Sequence, residues 1–133
     1  MVLPNPGFET SRPISMGERK FMCTTMESGL RLAGTVEFAG LKSAPNWGRA
    51  EKLLTHAKDI FKDVDTTEAL PWMGNRPATP DSLPVISRSR RHPNVVYGFG
   101  HGHLGLTGGA ATGKHVTALI SGQSPEIDLT PFS

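Results

Sequence analysis

Cysteine is nearly absent from this chain, since Cys23 is the only one among its 133 residues. A lone cysteine cannot form an internal disulfide, so folding does not depend on an oxidising compartment. Long apolar runs are missing too: none approaches the ~18 residues that a spanning helix needs, and the N-terminus lacks the regions of a secretory signal. We therefore expect no transmembrane segment and a cytoplasmic protein, at most peripheral at the inner face of the membrane.

An excess of one charge is also lacking, because 14 basic residues stand against 12 acidic ones, for a formal net charge of +2. The densest basic cluster is Arg88, Arg90, Arg91 and His92. So few clustered charges release few counterions, which favours a solvated loop over a nucleic-acid surface. We expect no nucleic-acid partner.

Glycine and proline are abundant, with 15 and 11 residues, and they fall between apolar runs instead of forming a biased tract. This distribution indicates many turns and short elements, not disorder. The hydrophobic share of 37% is sufficient for a modest core in one ordinary domain.

The first half of the chain predicts an antiparallel hairpin and one helix. Apolar and polar residues roughly alternate over residues 19–26 and 30–38, with a break at 27–29. Residues 46–62 predict an amphipathic helix that Asn46 caps. Its apolar face consists of Trp47, Ala50, Leu53, Leu54, Ala57, Ile60 and Phe61.

The second half predicts shorter elements. Residues 69–75, 83–86 and 95–99 resemble strands, and Thr79-Pro80-Asp81-Ser82 has the chemistry of a tight turn. Residues 107–121 predict a helix that Gly122 and Pro125 end. A strand, a glycine-rich turn and a helix thus close the chain.

Residues 100–109 contain five glycines in ten positions, between the last strand and the last helix. Glycine removes Cβ atoms that would block a flat ligand, and a helix start presents unpaired N–H groups with partial positive charge. Such a loop suits the electron-rich edge of a bound ligand. A tight structural turn explains the spacing equally well.

Two other interpretations of this region fail on chemistry. Residues 108–115, GGAATGKH, match the phosphate-loop motif GxxxxGK[ST] at every position but the last. His115 stands there in place of the Ser or Thr whose hydroxyl holds magnesium. The pair His101 and His103 has no further His or Cys at a spacing suitable for zinc. We expect neither a nucleoside triphosphate site nor a metal.

Arg76 interrupts an apolar, strand-like stretch, Trp72-Met73-Gly74-Asn75-Arg76-Pro77. An unpaired charge is costly to bury, so a buried Arg76 needs an anionic partner. A guanidinium grips a carboxylate with two parallel hydrogen bonds. The partner is either a substrate carboxylate or an internal Asp or Glu, and the internal pair is the more common arrangement.

The motifs WMGNRPATPDSLPVI at 72–86 and HPNVVYGFGHGHLGLTGGAATGKHVTALISG at 92–122 resemble the C-terminal portion of the D-amino-acid oxidase/dehydrogenase family of FAD-dependent oxidoreductases. The likeness is strongest to bacterial D-amino-acid dehydrogenases and extends to ERKFMCTTMESGLRLAGTVEFAG at 18–40. The resemblance implies an α+β fold. Residues 1–92 would belong to the antiparallel substrate-binding domain with its one amphipathic helix, and 93–133 would supply the C-terminal strand, glycine loop and helix of the FAD-binding domain.

The resemblance also implies a site. Arg76 matches the arginine that binds the substrate carboxylate, and His103 falls where some relatives carry a second carboxylate-binding residue. The loop whose backbone lies against the flavin pyrimidine edge corresponds to Gly102, His103, Leu104, Gly105, Leu106 and Thr107. The implied reaction passes a hydride from the substrate Cα to flavin N5 and gives an imino acid, which water then hydrolyses to a 2-oxo acid and ammonia. It requires no strong base from this sequence, so we name no catalytic side chain.

The sequence does not begin with the strand and GxGxxG motif by which members of this family hold the FAD pyrophosphate. We therefore expect a domain, truncated or split form of the enzyme, with an incomplete FAD site and no activity alone. Its expected partners are the amino-acid substrate and either the missing N-terminal FAD-binding segment or a second copy of the chain. The alternative function is a non-catalytic remnant or interaction module that keeps the substrate-domain fold.

Overall fold

The computed structural model describes all 133 residues, which form two compact units, Met1–Gly74 and Asn75–Ser133. Antiparallel strands and two helices make up the chain, which confirms the predicted α+β class. The assignment of 1–92 and 93–133 to two domains of a longer protein stays a prediction. Within this chain the division falls earlier, because the strands on either side of residue 92 pair with each other.

The first unit contains a four-stranded antiparallel sheet. Its strands are β1 (Val2–Leu3), β2 (Ile14–Met16), β3 (Phe21–Met26) and β4 (Gly29–Gly34), in the spatial order β1-β4-β3-β2. Strands β3 and β4 are the predicted hairpin, which is confirmed. The second strand ends at Gly34 instead of residue 38, because Thr35 has a φ of 48° and leaves the extended conformation.

Alternation along the hairpin builds the core of this unit. Cys23 lies opposite Leu32 in the pairing of β3 with β4, and both side chains are buried. Helix α1 (Gly48–Ile60) covers the sheet with its buried Leu53 and Ala57. The buried members of the core are Met1, Leu3, Phe21, Cys23, Leu30, Leu32, Leu53 and Ala57.

The predicted helix at 46–62 is therefore confirmed, but its predicted cap is wrong. Trp47 occupies the cap position, and no side chain caps the helix. Asn46 contributes its backbone instead, since its carbonyl oxygen accepts a hydrogen bond from the Arg49 N–H at 3.1 Å. Trp47 itself already has an α-helical backbone with ψ of −22°, although the side-chain rule expects a capping residue outside the helical conformation.

The second unit contains a two-stranded antiparallel sheet of β5 (Val85–Arg88) and β6 (Val96–Phe99), and helix α2 (Gly105–Ile120) packs against both strands. A short 3₁₀ turn, Gly102–Leu104, leads into α2. The helix begins two residues earlier than predicted. Its predicted end is confirmed.

Gly122 ends α2 with a φ of +68°. The N–H of Gly122 bonds the carbonyl of Leu119 at 3.4 Å, and the N–H of Gln123 bonds that of Ala118 at 2.9 Å. This pair of bonds is the Schellman arrangement, which favours glycine because of its positive φ. Arg88 on β5 also donates to the Leu119 carbonyl, where a cation complements the helix dipole.

The strand predicted at residues 69–75 is wrong. Leu70 makes an isolated bridge with Val2, through two backbone hydrogen bonds of 2.8 Å, and residues 71–77 are irregular and exposed. Pro71 and Pro77 lack the N–H that a strand ladder uses. Neither α1 nor α2 combines the length and apolarity needed to cross a bilayer.

Candidate functional site

A tight turn at the start of the second unit supports the glycine-rich loop. The N–H of Ser82 bonds the Thr79 carbonyl at 3.1 Å, and the N–H of Leu83 bonds Oδ1 of Asp81 at 3.0 Å. Thr79 Oγ1 donates to the Leu83 carbonyl at 2.6 Å. The predicted turn at 79–82 is therefore confirmed, and its hydrogen bonds are local.

Gly100 is the point where β6 gives way to the loop. It is buried and has a φ of +81°, and a Cβ added there would lie 2.9 Å from the Cγ2 of Thr79. Both the backbone conformation and the close approach of the turn require glycine. The turn at 79–82 and the loop are consequently packed together at this residue.

The arginine segment runs beside the same loop. Ala78 and His101 form an antiparallel bridge, and the N–H of Gly102 donates to the Pro77 carbonyl at 2.9 Å. Arg76 precedes Pro77, and His103 follows Gly102. The two predicted carboxylate-binding residues thus adjoin one hydrogen-bonded pair, on the same side of the bridge.

Arg76 has no anionic partner inside the chain. The ion pairs of the protein are Arg19 with Asp59 at 2.5 Å and Lys114 with Glu126 at 2.6 Å. Arg76 takes part in neither and makes no side-chain hydrogen bond. An internal salt bridge, the alternative considered from sequence, is not formed.

The premise that Arg76 lies in a buried strand is also wrong. Its segment is exposed, so water solvates the guanidinium and no partner is needed to offset burial. What remains is a cation free to bind an external anion. His103 is likewise exposed and without a hydrogen bond.

The start of α2 presents backbone donors. Leu104 is at the cap position, and no side chain caps the helix. The first N–H groups of a helix have no partner within it and carry partial positive charge; at α2 the preceding 3₁₀ turn uses one donor, because the Leu104 N–H bonds the His101 carbonyl at 3.0 Å. Leu106 in this first turn is 98% exposed, so the helix start faces open space.

His101 has a role that sequence reasoning missed. Its Nε2 lies 2.8 Å from Thr112 Oγ1, and its ring lies along the face of α2 that contains Gly105 and Gly108. A Cβ added at Gly105 would be 3.5 Å from His101 Cβ, and one at Gly108 would be 3.7 Å from Cδ2. The i, i+3, i+7 spacing of 105, 108 and 112 was the one available signal. The chain has no group of three His, Cys, Asp or Glu arranged to hold a metal ion.

The resemblance of residues 108–115 to a phosphate loop does not extend to the structure. These residues lie inside α2, so their N–H groups are helical and cannot surround a phosphate. Lys114, the counterpart of the phosphate-binding lysine, pairs with Glu126. Lys114 therefore forms a surface ion pair and does not contribute to a phosphate site.

The basic cluster divides into two parts. Arg90, Arg91 and His92 are exposed in the connection between β5 and β6, as expected of a solvated loop. Arg88 differs, because its guanidinium donates to the carbonyls of Pro93 and Leu119. It stabilises the connection and the end of α2.

Residues 1–119 match the model of a family described as FAD dependent oxidoreductase. The D-amino-acid oxidase of Bradyrhizobium diazoefficiens is 44% identical, over 100% of this chain and 32% of the relative. The D-amino acid dehydrogenases of Paramagnetospirillum magneticum and Agrobacterium fabrum are 33% and 34% identical, each over 96% of this chain and 33% of the relative. The chain thus spans about a third of the length of these curated relatives.

Proposed function

This chain belongs to the family of FAD dependent oxidoreductases, and from that premise we propose that it is the C-terminal part of an enzyme that oxidises D-amino acids to 2-oxo acids and ammonia. The observation that carries the proposal is an exposed, unpaired Arg76 beside the loop that leads into the uncapped start of α2. A cation and a row of backbone donors at one edge suit a substrate with a carboxylate and a cofactor with acceptor atoms.

Arg76 is proposed to bind the substrate carboxylate. A guanidinium places two N–H donors in the geometry of a carboxylate, and such charge-assisted pairs fix orientation as well as affinity. No acid of the chain competes for it. His103, adjacent to the same hydrogen-bonded pair, is proposed as a second donor to the carboxylate.

The loop at residues 102–107 is proposed to line the pyrimidine edge of the flavin. That edge offers carbonyl oxygens and a ring nitrogen as acceptors, and the helix start offers N–H donors without a side-chain cap. Gly102 has a φ of +55° with open space where a Cβ would lie, so its backbone is accessible to a flat ligand. The residues therefore fit this edge of the cofactor.

When bound, FAD supplies the acceptor for the hydride that leaves the substrate Cα. The chain itself orients the carboxylate and directs the partial positive end of α2 toward the loop, where it favours negative charge. No side chain of the site has to remove a proton from carbon.

The exposed apolar surface of α2 indicates that another segment covers this helix in the complete enzyme. The helix is rich in apolar and small residues, yet His115 is its only buried residue. Leu106 is 98% exposed and Ile120 65%. A helix with so much apolar surface is normally covered by other protein. We propose that the N-terminal FAD-binding segment of the enzyme covers it, in preference to a second copy of this chain.

Complementation tests this function. The chain is co-expressed with the N-terminal two thirds of the Bradyrhizobium D-amino-acid oxidase, and the purified complex is examined for flavin absorbance and for dye reduction with D-alanine. We expect a yellow complex that is active with D-alanine and inactive with L-alanine. A well-folded, colourless and inert complex would contradict the proposal and favour a non-catalytic remnant or interaction module.

A further inference from the structure

His101 connects the loop to the rest of the second unit by three contacts. It forms the bridge with Ala78, and its carbonyl accepts a hydrogen bond from the Leu104 N–H at 3.0 Å. Its ring Nε2 lies 2.8 Å from Thr112 Oγ1 on α2. One residue thus contacts the arginine segment, the 3₁₀ turn and the helix.

Thr112 is itself held in place. A Cβ added at Gly98 of β6 would lie 3.5 Å from Thr112 Cγ2 and 3.2 Å from Val116 Cγ2. Glycine at residue 98 therefore lets the strand approach the helix closely, with Thr112 at the contact. Thr112, whose hydroxyl hydrogen-bonds His101, is therefore packed against β6, although the side chains of Thr112 and His101 are only partly buried.

The loop has few other attachments. No side chain of residues 102–107 makes a hydrogen bond, and apart from the bonds within the 3₁₀ turn and α2, the Gly102 N–H to the Pro77 carbonyl is the one backbone bond that joins these residues to another segment. The bond between His101 and Thr112 is therefore the one side-chain hydrogen bond that joins the two ends of this region. This bond joins the residues that follow β6 to the second turn of α2.

We propose that His101 is a positioning residue, which holds the loop at 102–107 in the orientation that the flavin edge requires. This inference rests on the proposed function. His101 acts through the backbone of the loop and does not touch the substrate. Loss of its bond to Thr112 lets the loop and the first turn of α2 move together, so the N–H donors lose their fixed direction.

Amide exchange in the 133-residue chain tests the contact without any cofactor. Thr112→Val removes the hydroxyl and keeps the shape. Since one neutral hydrogen bond contributes about 1 kcal/mol, we expect the exchange of the Gly102 and Leu104 amides to rise roughly fivefold. Thr112→Ser restores the wild-type rates. Thr117→Val is the matched control, because it removes a hydroxyl bond of 2.8 Å to the Gly113 carbonyl on the same helix and leaves both amides unchanged.

The complemented enzyme tests the positioning role. In Thr112→Val and His101→Gln we expect weaker flavin affinity, a shifted flavin absorption band and a lower reduction potential. The KM for D-alanine should change less than kcat, because Arg76 is intact. Thr112→Ser should again resemble the wild type.

Two results overturn the inference. One is unchanged amide exchange in Thr112→Val, or an increase that Thr112→Ser does not reverse. The other is a yellow wild-type complex whose Thr112→Val variant has the same flavin affinity, spectrum and potential. A wild-type complex that takes up no flavin refutes the proposed function and, with it, the cofactor role of His101. The amide exchange of the chain alone then still shows whether the bond between His101 and Thr112 holds the loop in place.

Discussion

Ala78 lies opposite His101 in an antiparallel bridge, and this contact brings the arginine segment to the glycine-rich loop. The neighbouring Gly102 N–H bonds the Pro77 carbonyl at 2.9 Å. Two segments separated by more than twenty residues are thereby fixed side by side. The relation between Arg76 and the loop follows from backbone pairing, which is less sensitive to side-chain changes than a contact between two exposed side chains.

Replacing Arg76 tests its role as the carboxylate anchor. In the complemented enzyme, Arg76→Leu should raise the KM for D-alanine by about 100-fold, because hydrogen bonds to a charged group contribute about 1.5–3 kcal/mol. The KM of Arg76→Lys should lie between those of the wild type and Arg76→Leu, since an ammonium keeps the charge but lacks the planar fork of the guanidinium. Steady-state kinetics provide the measurement. Arg90→Leu, an exposed arginine of the same unit, should leave KM unchanged, and a normal KM in Arg76→Leu would remove Arg76 from the site.

Local patterns predicted the elements whose stabilising contacts are close in sequence. The hairpin of β3 and β4 follows from alternation around a short turn, and α1 follows from its helical periodicity. The turn at 79–82 follows from Pro80 and Asp81, whose effects span two or three residues. In each case the sequence within one element determines the structure.

Features that depend on distant contacts were not predictable. Apolar Trp72 and Met73 indicated a buried strand, yet they are 62% and 47% exposed. Trp72 instead lies under the guanidinium of Arg31, which is 5.1 Å from the ring centroid. The bond between His101 and Thr112 depends on how the loop enters α2, and periodicity alone does not specify that path.

Gly100 should be among the least replaceable residues of the second unit. Gly100→Ala combines a φ of +81° with a Cβ only 2.9 Å from Thr79 Cγ2, so we expect a loss of about 1–2 kcal/mol or more in the free energy of unfolding. Urea denaturation of the chain measures the loss. Gly113→Ala is the matched control: no atom lies within 4 Å of its added Cβ, and removing a helix glycine should stabilise by about 0.5–1 kcal/mol. Equal losses in both variants would contradict this account.

The ion pair of Glu126 with Lys114 should make stability depend on pH. The hydrogen bond from Lys114, followed by its charge, lowers the pKa of Glu126. A lowered folded-state pKa gives stability that is present above the ordinary glutamate pKa of about 4.3 and is lost as the pH falls through the folded value. Glu126→Gln should therefore have a lower urea midpoint than the wild type at pH 7. Once the pH is well below the folded-state pKa, the two midpoints should coincide.

Salt provides an independent check on the same pair. Both side chains are well exposed, at 63% for Lys114 and 67% for Glu126, so the effect at pH 7 should be small and should shrink in about 1 M sodium chloride. Glu18→Gln removes an exposed carboxylate that forms no ion pair and is the control. A midpoint difference for Glu126→Gln that persists at low pH would mean that packing, and not charge, is responsible.

Cys23 should be unreactive until the first unit unfolds. The side chain is fully buried opposite Leu32, and burial raises the pKa of the thiol, so little of the reactive thiolate is present. We expect an aromatic disulfide reagent to label the native chain slowly at pH 8 and one thiol rapidly in denaturing urea. Ser28→Cys, in the exposed connection between β3 and β4, should add one thiol that reacts at once and leave Cys23 slow. Rapid labelling of native wild-type protein would mean that the hairpin opens readily from the core.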